Sequence, residues 1–89
     1  MPTVHLLIKG RVQGVFYRAA AKEAAEELGL KGWIKNTADG NVESMVSGDD
    51  QYLKKFTEWC RTGPERAFVT DVSISLYEEI EFTDFSIIR

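Results

Sequence analysis

Residues 10–18, Gly10-Arg11-Val12-Gln13-Gly14-Val15-Phe16-Tyr17-Arg18, carry the types and spacing best suited to chemistry on an anion. An apolar strand precedes them and an alanine-rich helix follows. The run therefore sits where the unpaired N–H groups of a helix start can be aimed at a ligand. Gly10 and Gly14 permit backbone turns that a Cβ opposes. Arg18 adds a planar fork of donors that matches phosphate. The residues thus read either as a phosphate cradle with one guanidinium or as a strand-to-helix turn whose arginine is solvated. A second arrangement, Cys60 and Arg66, has the Cys-x5-Arg spacing with which thiol phosphatases surround phosphate. Its context is wrong for that mechanism. Cys60 falls on the apolar stripe near the end of a predicted helix, not in a loop leading into one, and is expected to be a small core residue.

Other chemistries are excluded by what the chain lacks. No Gly-Lys-Ser/Thr follows the glycine loop, so it is not a nucleotide-binding P-loop. No His, Cys, Asp and Glu cluster has metal-ligand spacing. His5 is the only histidine and lies within a predicted strand, as a surface residue and not a general base. A site without nucleophile, metal or base suits a reaction with a good leaving group, in which positioning and charge stabilisation are enough.

The elements that position these residues follow from periodicity. Val4, Leu6 and Ile8 alternate with His5, Leu7 and Lys9, which predicts a strand with one buried face. Ala20, Ala21, Ala24, Ala25 and Leu28 recur at helical spacing, and Gly29 ends that helix. Residues 31–37 and 41–47 read as strands around an Asp39-Gly40 turn. Asp49 or Asp50 can cap a second helix with the stripe Leu53, Phe56, Trp59 and Cys60, which Gly63-Pro64 stops. Residues 68–77 form a long alternating strand, and 84–88 a short final one. The order is βαββαβ with a strand appended. Two right-handed crossovers then give a ferredoxin-like α/β sandwich, with a mixed sheet carrying both helices on one face.

The chain has 89 residues, enough for one domain spanning 1–89. The first residues carry no basic region before a short apolar run, so no signal peptide is expected. No stretch approaches the roughly 20 apolar residues of a membrane helix, so no membrane partner is expected. A lone cysteine fits a reducing cytosol. Residues 1–35 hold six basic residues against three glutamates, whereas residues 36–89 hold five against eleven acids. The positive part contains the glycine loop and suits a small anion. The acidic remainder disfavours nucleic acid.

A further segment, Gly32-Trp33-Ile34-Lys35-Asn36-Thr37-Ala38-Asp39-Gly40, follows in the chain. Together with Val12-Gln13-Gly14-Val15, an aromatic pair and Arg18, it resembles the two signatures of the acylphosphatase family. Trp59 to Pro64 and the ending Phe85-Ser86-Ile87-Ile88-Arg89 are also similar to that family. Tyr17 replaces the usual phenylalanine and Ile34 the usual valine. The resemblance implies hydrolysis of acyl phosphates such as acetyl or carbamoyl phosphate by a cofactor-free, metal-free, monomeric enzyme of the cytosol. It implies that backbone N–H groups of Gln13, Gly14, Val15, Phe16, Tyr17 and Arg18 surround the phosphoryl oxygens. It further implies that the Arg18 guanidinium binds two of them and that the Asn36 amide orients the attacking water. Gln13 is expected to brace the loop through its side chain. Two other readings share the fold: an RNA-binding domain, for which the chain lacks a basic, aromatic-rich central strand, and an inactive anion-binding module.

Overall fold

The computed structural model describes residues Met1–Arg89. Strand β1 spans Thr3–Arg11, helix α1 Tyr17–Glu27, β2 Lys31–Asn36, β3 Val42–Ser47, helix α2 Asp50–Thr62, β4 Phe68–Tyr77 and β5 Phe85–Ile88. The sheet order is β4-β1-β3-β2-β5. This is the ferredoxin-like arrangement expected from the order of elements.

The alternation along β1 divides the two faces of the sheet. Leu6 and Ile8 are fully buried, whereas Lys9 is exposed and His5 half-buried. The buried face meets Ala21 and Ala25 of α1 and Leu53, Phe56 and Cys60 of α2 in one apolar cluster, which also takes in Ile34, Val42, Val46 and Val72. Both helices therefore cover the same face. Removing this apolar surface from water is the main force holding the layers together. On the open face His5 Nε2 lies 2.6 Å from Glu43 Oε2 across the β1–β3 ladder.

The crossovers do not place β1 beside β2. The tight β2–β3 connection folds β3 back between them, so β1 pairs with β3 and β4, and β2 with β3, all antiparallel. The mixed character of the sheet comes from β5, which lies parallel to β2. A register shift between Lys9 and Gly10 lets the end of β1 follow β4 closely. Only glycine fits at residue 10, because a Cβ there would stand 2.2 Å from the Phe68 carbonyl oxygen. No helix is long and apolar enough to cross a membrane.

Candidate active site

Strand directions gather the polar residues at one rim. β1 and β2 both run antiparallel to β3, and β5 runs parallel to β2. The ends of all three strands, near Arg11, Asn36 and Ile88, thus reach the same side of the sheet, where α1 begins.

The loop between β1 and α1 is pinned by alternate residues. Val12, Val15 and Tyr17 are buried in the core. The Tyr17 hydroxyl donates to the Cys60 carbonyl oxygen at 2.7 Å, tying the start of α1 to α2. Burial pushes the Tyr17 phenol up from its ordinary value. Between these anchors Gly14 has φ 74° and Phe16 φ 63°, both in the left-handed region. At Gly14 nothing stands within 4 Å of the Cβ position, so its conformation and not crowding accounts for the glycine. At Phe16 a full side chain pays about 1–3 kcal/mol for the same region, which the flanking anchors impose.

The loop delivers an unneutralised helix start. Phe16 occupies the N-cap position of α1 without a side-chain hydrogen bond, and no acid lies in the first turn. Ala20 N–H donates to Phe16 O at 3.1 Å and begins the helical ladder, leaving the N–H groups of Tyr17, Arg18 and Ala19 without helical acceptors. Their dipoles favour negative charge at this spot. Arg18, half-buried, forms no ion pair with any acid. Its one side-chain hydrogen bond within the protein is a long one, from Nη1 to Ile88 O at 3.5 Å.

Asn36 ends β2 at the same rim. Its Oδ1 is buried and has no hydrogen-bond partner in the protein. A cleft of about 500 Å³ brings Asn36 together with Gly14, Phe16, Tyr17 and Arg18. No Asp, Glu or His side chain lines it. Val15 points into the core instead. The Gln13 side chain turns to the β2–β3 turn, where Nε2 donates to both Thr37 O and Asn41 O at 2.8 Å. Both amide hydrogens are therefore used within the protein. The turn is itself cross-linked. Asn41 N–H donates to Thr37 Oγ1 at 3.0 Å. The Thr37 hydroxyl donates to Asp39 and holds that carboxyl below its usual range.

Ile87 and Arg89 also line the cleft, where no local sequence pattern puts them. Their signal is long-range: only the parallel pairing of β5 on β2 carries them there. A slightly larger depression, about 590 Å³, lies at the opposite end of the sheet, against Met1, Lys31, Glu79 and Glu81. Its two glutamates, one of them paired with the N-terminal ammonium, make it unsuited to phosphate. The Cys-x5-Arg spacing builds no cradle. Cys60 is fully buried on α2, and burial pushes its thiol up to about 12, so it stays protonated at neutral pH.

The acylphosphatase family model matches residues 4–87. The chain belongs to the acylphosphatase family. An acylphosphatase of Marinobacter nauticus is 51% identical over 82 residues, 91% of this chain and 89% of that protein. The crystal structure of acylphosphatase from Bacillus subtilis superposes with a TM-score of 0.96 at 34% identity, over 100% of both chains. An acylphosphatase structure from Coxiella burnetii gives 0.95 at 36% identity, covering 98% of this chain and 92% of that one. The family places the chain among hydrolases acting on acid anhydrides.

Proposed function

We propose that this acylphosphatase hydrolyses the carboxyl–phosphate bond of small acyl phosphates in the cleft at the start of α1. The phosphoryl oxygens take backbone N–H groups of residues 13–18 and two donors of Arg18. Charge that spreads over those oxygens in the transition state meets donors already in place. Water attacks phosphorus from the side of Asn36, whose Oδ1 accepts one of its O–H groups. The P–O bond to the acyl oxygen breaks, and its electron pair leaves with a carboxylate. The attacking water's proton passes to a phosphate oxygen, so no protein base is required. Gln13 contributes a backbone N–H to the phosphate, while its side chain holds the Asn36 turn against the loop.

The observation that carries this reading is the buried, unpartnered Asn36 Oδ1 beside Arg18 and an uncapped helix start. An unpaired buried acceptor costs about 1–3 kcal/mol, and a positioned water removes that cost. A carboxylate departs without a general acid, whereas an alkoxide needs one. Phosphate release from acetyl phosphate is therefore expected to exceed release from an alkyl phosphate monoester by at least about 10²-fold. EDTA is expected to leave it unchanged, since Arg18 and the N–H groups supply the positive charge. Equal rates on the two substrates, or loss of activity with EDTA, would contradict the proposal.

A further inference from the structure

We infer that the Tyr17 hydroxyl is a positioning group for the phosphate loop. By holding the start of α1 to the end of α2, it keeps Phe16 in the left-handed region and the free N–H groups of the helix start aimed into the cleft. The inference rests on the cleft reading given above. The hydroxyl donates to one acceptor, the Cys60 carbonyl oxygen at 2.7 Å. That carbonyl depends on it in turn. In a continuing helix the Cys60 oxygen would accept from the N–H of residue 64, but residue 64 is proline and has none. Gly63 N–H donates one carbonyl earlier, to Trp59 O at 2.7 Å, and no backbone N–H reaches Cys60 O. Cys60 and Tyr17 are at most 1% exposed, so neither group has water as an alternative partner. Each would be left buried and unpaired without the other.

The end of α2 is shaped to receive the Tyr17 ring. Gly63 leaves the space for it, since a Cβ there would stand 2.8 Å from Tyr17 Cε2. The Trp59 ring packs against it with 5.4 Å between centroids, tilted by 58°. What this attachment holds is the residue before it. Phe16 is the only residue other than glycine in the left-handed region. Such a conformation persists only while its surroundings impose it, and here Val15 fixes one side of Phe16 and Tyr17 the other. Relaxation of Phe16 to an ordinary backbone conformation re-aims the peptide unit between Phe16 and Tyr17. The N–H of that unit is one of the three free donors, and Arg18 lies directly beyond it. A phenylalanine at residue 17 keeps the packing on Trp59 and loses only the bond to Cys60 O. Tyrosine in place of the usual phenylalanine is therefore what supplies the tether in this chain.

The test measures the inhibition constant of inorganic phosphate, and kcat/KM for acetyl phosphate, in the unaltered chain, Tyr17→Phe, Phe16→Gly, the Phe16→Gly/Tyr17→Phe double variant and Arg18→Ala. Tyr17→Phe is expected to raise the phosphate constant about fivefold and to lower kcat/KM about tenfold, as loosened donors do. Glycine at residue 16 adopts the left-handed region without strain, so the tether then has no strain to hold. In the Phe16→Gly background the same substitution is expected to change the phosphate constant by less than about twofold. A hydroxyl that only stabilises the fold would lower the melting temperature of Tyr17→Phe and leave its phosphate constant and kcat/KM as they are. That result, with Arg18→Ala still losing activity, would overturn the inference alone. An equal rise of the phosphate constant in both backgrounds would also overturn it. Full activity of Arg18→Ala would overturn the cleft reading, and the inference with it.

Discussion

At the scale of single residues, the proposed mechanism assigns Arg18 and Asn36 different tasks by where their polar atoms lie. Arg18 is half-buried, pairs with no acid and makes one long side-chain hydrogen bond, to Ile88 O. Its removal takes away donors from the phosphate without opening the core. Arg18→Ala is expected to lower kcat/KM by about 10³-fold or more, in the range known for arginines that meet a transferring phosphoryl group. Its stability is expected to change by no more than about 0.5 kcal/mol. Arg18→Lys keeps the charge but loses the fork, and is expected to recover only a small part of the rate. Phosphate release and urea unfolding of the two variants check this. Near-normal turnover by a folded Arg18→Ala chain would count against the site.

At the scale of elements, the loop after β1 and the β2–β3 turn act as one unit because Gln13 joins them through two carbonyls. Asn36 immediately precedes Thr37, one of the two residues so held. Gln13→Ala leaves both carbonyls without this donor, and in the proposed mechanism it frees the Asn36 amide to shift relative to the phosphate. The kcat is expected to fall by about 10- to 100-fold, as small misplacements of a reacting group do. In an Asn36→Ala background the same substitution is expected to cost little further kcat, since its effect passes through Asn36. Equal losses in both backgrounds would show that Gln13 acts elsewhere. This coupling also marks a limit of reading the chain in order. Strong periodicity in residues 3–8 and 50–60, with the Asp39-Gly40 and Gly63-Pro64 signals, made the elements and their sequence legible. The insertion of β3 between β1 and β2 comes from pairing rather than from local pattern, as does the arrival of β5 beside β2. Ile87 and Arg89 entered the cleft through that last contact. The direction of the Gln13 side chain depends on acceptors more than twenty residues away.

At the scale of the whole molecule, charge is arranged along the sheet. The cleft holds two arginines and no acidic side chain, while Glu79 and Glu81 sit at the far end beside Met1. Such a distribution draws an anionic substrate to one end even in a chain whose net charge is −3. Stability has a pH dependence of its own, set by two buried acids in contact. Burial raises the Cys60 thiol from 9.0 to about 12 and raises the Tyr17 phenol from 10.0. Above the unfolded thiol value the unfolded chain sheds this proton and the folded chain keeps it, so folding then opposes ionisation. Their contribution is complete below about pH 9 and is lost as pH rises toward the folded values. The melting temperature is expected to fall between pH 8 and pH 11, and less steeply in Cys60→Ala. A flat profile, or the same slope in the variant, would contradict this assignment.

The central claim, that Asn36 orients water and does not hold phosphate, is tested most directly by two numbers from one variant. For Asn36→Ala, kcat on acetyl phosphate and the inhibition constant of inorganic phosphate are measured side by side with the unaltered chain. A fall in kcat of about 10²-fold or more is expected, with the phosphate constant changed by less than about threefold. An unchanged kcat, or a collapse of phosphate affinity with turnover preserved, would contradict it.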